Sequence, residues 1–257
     1  MTRAVAGMMA AALMAGCAHV SEAARDDGKP EYVVKRANAV PALDGNWDSP
    51  VWQKANELRV DKFYPLNQKP NPEAHRPVTL ARTLYGDKGL YVHFKVDDCY
   101  VRSIETKYHG KVWEDACVEF FVKPKADRGY FNFEINCGGT MLLSYHENPE
   151  YKGPADRPPD SVPWDLASQV KIFHTMPEVV EPEITEPTTW HIEYFIPFAL
   201  FEAYIGPLGP IDGQTWEANY YKCAENNSHP HWASWSPIFG KLDFHQPEYF
   251  GILKFEQ

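Results

Sequence analysis

Positive charge is in short supply in this chain. Lys and Arg number 25 against 35 Asp and Glu, a formal net charge of -10, which argues against capture of nucleic-acid phosphates by bulk electrostatics and favours a neutral or cationic partner. Cysteine is sparse as well: there are five, with no Cys-x-x-Cys pair, so a structural zinc site is set aside. No apolar run reaches the roughly 20 residues of a spanning helix. Internal repeats, sustained heptads and domain-sized linkers are absent, and uninterrupted stretches of Ala, Leu, Glu and Lys are few, which disfavours a helical bundle. What is plentiful is proline, at 22, and aromatic side chains, at 14%. With 44% hydrophobic and 23% charged residues, 257 residues can bury one sizeable core. Many short strands joined by stiff loops are expected, an all-β domain.

The N-terminus reads as an address. Arg3 precedes an apolar run from Ala4 to Ala15, and Met14-Ala15-Gly16-Cys17 follows. This resembles a bacterial lipoprotein signal peptide. The expectation is cleavage before Cys17 and lipidation of its thiol, with residues 1–16 as signal, 17–31 as a flexible tether and 32–257 as the folded domain. Cys17 is followed by Ala-His-Val-Ser, without an aspartate, which points to a cell-envelope protein anchored in the outer membrane. Four cysteines then remain: Cys99, Cys117, Cys137 and Cys223. An oxidising compartment permits disulfides, and both free and paired states stay open.

Period-two alternation is clearest in five segments. Leu90 to Val96 places Leu90, Val92, Phe94 and Val96 on one face. Val118, Phe120 and Val122 point inward against Cys117, Glu119 and Phe121; after a turn, Phe131, Phe133 and Ile135 point inward against Asn132, Glu134 and Asn136, which reads as an antiparallel hairpin. Residues 190–196 and 216–223 complete the set. The pattern predicts an antiparallel β-sandwich, jelly-roll-like, with long proline-rich loops. Residues 144–167 and 176–189, punctuated by proline, are expected as irregular surface loops, the first as a wall or lid of a site. Residues 197–204 are expected to form one helical turn. By the same alternation Cys137 faces opposite to Cys117, so Cys117 with Cys223 is the only pairing that shares a face.

The outward face carries Glu119, Asn132, Glu134, Asn136, Glu193, Asn219 and Tyr221. Asparagine is a poor strand former, and carboxylates with carboxamides are the groups that chelate vicinal hydroxyls. Flat apolar surface for the C–H faces of a sugar ring is offered by Trp113 and Trp235 at strand ends, with Trp232 and Trp164 less well placed.

Leu43-Asp-Gly-Asn-Trp-Asp-Ser-Pro-Val-Trp52, Trp113-Glu-Asp-Ala-Cys-Val-Glu-Phe-Phe121, Tyr130-Phe-Asn-Phe-Glu-Ile-Asn136, the segment from Trp190 to Pro197, Asn219-Tyr-Tyr-Lys-Cys223, Ser234-Trp-Ser-Pro237 and Phe244-His-Gln-Pro-Glu-Tyr-Phe-Gly251, in this order, resemble family 9 carbohydrate-binding modules. The resemblance implies a β-sandwich whose concave face binds an oligo- or polysaccharide between two tryptophans. The clamp positions fall on Trp113 and Trp235 and an acidic sugar contact on Glu119. Where those modules carry an arginine and a late asparagine, this chain carries Glu134 and Cys223. The reading is non-catalytic capture of a glycan by a tethered lipoprotein acting beside glycoside hydrolases, without a cofactor.

Two rivals draw on the same residues. Glu119, Glu134 and Glu193 on one face would be the minimum set for a glycosidase, although an open sheet face is a wet place to hold a protonated acid. Met141 and Met176 with ten histidines would supply haem ligands, but Cys-x-x-Cys-His is lacking. Asp44, Asp48, Asp97, Asp98 and Asp115 offer hard oxygens for a structural calcium, without a twelve-residue calcium loop.

Overall fold

The computed structural model describes residue 1 and residues 28–65, 74–148 and 160–257; Cys17, the segment expected as a leader and residues 149–159 of the expected 144–167 loop lie outside them, while 144–146 belong to a strand and 164–167 to a helical turn rather than to an irregular loop. Strand makes up 43% of the structure and helix 10%. In chain order the elements are β1 (Glu31–Arg36), β2 (Leu58–Val60), β3 (Lys62–Tyr64), β4 (Val78–Tyr85), β5 (Gly89–Asp98), β6 (Val101–Ser103), β7 (Cys117–Lys123), β8 (Tyr130–Asn136), β9 (Met141–His146), α1 (Trp164–Ala167), β10 (Lys171–His174), β11 (Val180–Ile184), β12 (Thr188–Pro197), α2 (Phe198–Ile205), β13 (Thr215–Ala224), β14 (His231–Ser234) and β15 (Gly251–Phe255). Among the described residues no helix is long and apolar enough to cross a membrane.

Apart from the separate β6–β11 pair, the strands form two packed sheets. The first runs β15-β13-β7-β8-β9, with β14 on the far half of β13 and β3 beyond it; the second runs β10-β12-β5-β4, with β2 on β4. β1 joins them: Glu31 to Val34 pair with β15 and Lys35 to Arg36 with β4. Both of these pairings are parallel, a local exception to the antiparallel ladders elsewhere, because β1 enters from outside the hairpin order.

Alternation set the core. Phe120 and Val122 of β7, Phe131, Phe133 and Ile135 of β8, Trp216 and Tyr220 of β13, and Phe94, Val96, Trp190 and Ile192 of β5 and β12 fill the space between the sheets, all 1% exposed or less. Burial on this scale, at about 25 cal/mol per Å² of apolar surface, is what holds the sandwich closed. α2 packs Phe201 and Tyr204 edge-on against Phe131; it is a full eight-residue helix rather than one turn.

Residues 176–189 depart from the expected irregular loop. β11 pairs with β6 at Val180–Ser103 and Ile184–Val101, with a register irregularity between them. Pro182 sits inside that irregularity, where the missing N–H leaves the ladder unharmed.

Candidate functional site

The outer face of the first sheet is expected to meet water, and it does not. The turn at Val112–Glu114, β14 and the chain through Ile238, Phe244 and Phe250 fold over it, packing onto Cys117, Phe121, Tyr130, Leu142, Tyr221 and Cys223 as a second apolar cluster. Between this cover and the sheet lies a cavity of about 290 Å³, at the small end of ligand pockets. Trp113 and Trp232 are among its walls with Phe244, and Glu119, Asn132, Glu134, Ser144 and Cys223 line it from the strands. Glu225, Asp243, His146 and His245 complete the rim.

Register explains which residues meet. Glu119 of β7 stands directly opposite Glu134 of β8 and opposite Tyr221 of β13; Asn132 stands opposite Ser144 of β9. Glu119 is 3% exposed and Glu134 5%. Burial, then the neighbouring Cys223 and Glu134, holds the Glu119 carboxyl far above the usual carboxylate range. Burial pushes Glu134 up to about 7, against the hydrogen bond from Asn132 and with help from Glu225. Asn132 Nδ2 donates to Glu134 Oε1 at 2.8 Å, while Asn132 Oδ1 lies 3.2 Å from His146 Nε2. His146 is lowered to about 4, chiefly by burial and then by His245, so it is a neutral ring at pH 7. Cys223 Sγ donates to Glu119 Oε1 at 3.0 Å.

The other expected contacts, Trp235, Asn136, Asn219, Tyr221 and Glu193, do not line this cavity. Trp235 is 9% exposed and belongs to the inter-sheet core. Its ring lies edge-on to Tyr220 and Tyr32, with centroids 5.8 and 6.5 Å away, so it does not face Trp113. The physical reason is strand parity. Trp232 pairs with Cys223, whose side chain points outward, and Ser234 with Tyr221; the residues between and after, Ala233 and Trp235, therefore turn inward. The indole that shares the cavity with Trp113 is Trp232. Following the β13–β14 register from Cys223 would have identified it.

Asn219 pins the turn after β14: Nδ2 donates to Ser236 O, and Oδ1 accepts from the Ser236 and Tyr220 amides. Asn136 Nδ2 donates to Glu105 O and Asp115 Oδ2, and its Oδ1 accepts from Thr140 N. Tyr221 stacks on Phe244 at 4.0 Å and donates to its carbonyl, supporting the cavity from beneath. Glu193 lies on the outer face of the second sheet. There it accepts from Trp52 Nε1 at 2.7 Å and Gly45 N at 2.8 Å, which shows what the Leu43-to-Trp52 motif does: it plugs that face.

Among the described residues one group of possible metal donors comes together. Cys117, Glu119 and Cys223 have ligand atoms within 4.8 Å of one another, a set that suits a soft or borderline cation once three protons leave. Burial pushes the Cys117 thiol up to about 12 and Cys223 well above its ordinary value. The two cysteines pair across β7 and β13 as free thiols, and Cys137 packs inward. Four of the acids considered for calcium are engaged separately, Asp44 by the Asn46 amide. Asp98 binds His75 and lies 3.6 Å from the Lys222 amine, Asp115 accepts from the Ile104 and Glu105 amides, and Asp97 accepts from the Thr189 hydroxyl.

A two-sheet sandwich with an aromatic-walled, acid- and amide-lined cavity on one outer face is a binding module in build. The chain belongs to carbohydrate-binding family 9, whose family model matches residues 60–255. This is a non-catalytic class, so Glu119, Glu134 and Glu193 are not a hydrolytic set, in keeping with Glu193 lying on the other sheet. Among solved structures the chain is similar to a Bacteroides uniformis protein provisionally described as carbohydrate-binding, at 29% identity and a TM-score of 0.73, covering 89% of this chain and 100% of that one. It is also similar to a family 9 module from Caldicellulosiruptor kristjanssonii in complex with cellotriose, at 13% identity and a TM-score of 0.59, covering 88% and 94%. A glucose complex from that organism gives a TM-score of 0.58 at 13% identity, covering 88% and 96%. The curated proteins give no match.

Proposed function

We propose that the chain captures an oligo- or polysaccharide in the cavity between Trp113 and Trp232, over a floor of Glu119, Asn132 and Glu134. The observation that carries this reading is the convergence of two half-buried indoles across an acid- and amide-lined cavity. Ring faces take the apolar side of a sugar, and the carboxyl and carboxamide groups take its hydroxyls. Protonated carboxyls donate as well as accept, which suits a hydroxyl that must do both. The cellotriose and glucose complexes of the structurally similar modules support a saccharide over other small ligands. At the N-terminus, the Met14-Ala15-Gly16-Cys17 motif supports export and lipid anchoring through Cys17, on an outer membrane, where glycan capture would serve hydrolases working on the same polymer.

The test is calorimetric titration of Trp113→Ala and Trp232→Ala with β-linked oligosaccharides. Each variant is expected to lose about 1 to 3 kcal/mol of binding, by analogy with stacking of bases on aromatic rings, at unchanged melting temperature. Full affinity in both would remove the cavity as the site. Labelling with radioactive palmitate, lost in Cys17→Ser, tests the anchor.

A further inference from the structure

We propose that the saccharide taken by this cavity is cationic, an amino sugar with a free amine; the inference rests on the saccharide reading above. Three glutamates line the space, Glu119, Glu134 and Glu225, and no lysine or arginine does. The fourth acid of the lining, Asp243, is already matched by Lys241 at 3.1 Å. Of the lysines around the cavity, Lys222 leaves β13 on the opposite face, fully buried, and faces Asp98 and His231, and Lys111, which acts on Glu225, is paired with Glu114 at 2.8 Å. The two histidines of the rim bring no charge, since burial lowers both.

The floor itself is short of a positive partner. Glu119 and Glu134 stand side by side across a β-ladder, an arrangement in which both can ionise together only beside a cation. Each is at least nine-tenths buried and uses one oxygen for its protein hydrogen bond, Oε1 to Cys223 and Oε1 to Asn132 respectively. The hydrogen bonds of both carboxyls within the protein are made through Oε1, and both residues line the cavity. Two partly satisfied carboxyls a strand apart are a receptor for a group with several N–H donors and a positive charge. A neutral hydroxyl offers one donor and reaches one of the two oxygens; an ammonium offers three N–H donors that span both, and its charge favours the ionised form of the carboxyls it meets. Trp113 and Trp232 add ring faces over which a cation is further stabilised.

Binding is measured by calorimetry at pH 7 on the full chain with three β-1,4 disaccharides: the free diamine of glucosamine, its di-N-acetylated form, and cellobiose. The diamine is expected to bind about tenfold or more tightly than either neutral sugar. In Glu119→Gln and Glu134→Gln, both checked by melting temperature, that ratio is expected to fall below about threefold. Equal or tighter binding of cellobiose or the acetylated sugar overturns the cationic preference and leaves the saccharide reading standing; no binding of any of the three overturns both. If the variants do not fold, the wild-type ratio alone decides.

Discussion

Replacing Glu134 by Gln should stabilise the protein, and only above mildly acid pH. The carboxyl has an ordinary value of 4.5 and is raised to about 7 in the fold. Between those values the folded chain holds a proton that the unfolded chain has released, so stability falls as pH rises and the loss is complete above about 7. At about 1.4 kcal/mol per unit, the shift amounts to about 3 kcal/mol. Glutamine keeps an oxygen to accept from Asn132 Nδ2 and removes the titration. The variant is therefore expected to match wild type at pH 4 and exceed it by about 3 kcal/mol at pH 8, a rise of roughly 6–12 °C in melting temperature for a domain of this size. Other groups titrate nearby in the same range: His146, lowered to about 4, makes stability rise with pH over that window. Glu119 is held protonated beside it. The comparison at each pH cancels the His146 contribution, while Glu119, which Glu134 helps to hold up, shifts down in the variant. Urea titrations from pH 4 to 8 give the measurement, and a difference that stays constant with pH would refute the assignment of a buried, proton-holding Glu134.

Trp235→Ala should cost about 3 to 5 kcal/mol of stability, as for other buried large aromatics, yet leave saccharide affinity at low temperature unchanged; loss of affinity in a folded variant would return Trp235 to the site. Gly251→Ala should destabilise by about 1 to 3 kcal/mol, because an added Cβ would lie 2.5 Å from Trp235 Cζ3 and 2.8 Å from Pro30 O; chemical denaturation measures it. Glu193→Ala should cost about 1 to 3 kcal/mol by orphaning the Trp52 indole N–H and the Gly45 amide, with binding retained. Thiol titration of the unfolded Cys17→Ser chain should find Cys99, Cys117, Cys137 and Cys223 all free; two missing thiols would mean that Cys117 and Cys223 are joined.

Much of the sandwich can be read from local pattern. The five segments with clear alternation are β5, β7, β8, β12 and β13, and their inward residues are the inter-sheet core, because a two-residue period fixes which side chains share a face whatever the strands pair with. The weaker strands were not legible: β1, β4 and β15 carry mixed patterns, and β11 contains proline, so only their neighbours define them. The same holds for the site. Alternation put Glu119, Asn132 and Glu134 outward, and that is where they stand, but it put Asn136, Asn219, Tyr221 and Glu193 outward too. What divides floor from scaffold is which loop lands on each, a matter of contacts between residues a hundred positions apart.

The chain's own order of residues determined an all-β build, the inward and outward faces of its central strands and a scarcity of positive charge, since each depends on composition or on neighbours along the backbone. Only the tertiary structure decided that the polar outer face is covered, that Trp232 and not Trp235 meets Trp113, and that two glutamates share a nearly dry floor. Burial and strand partnership are properties of the assembled sheets: a side chain's solvent and its opposite number are supplied by distant segments, and no local period records them.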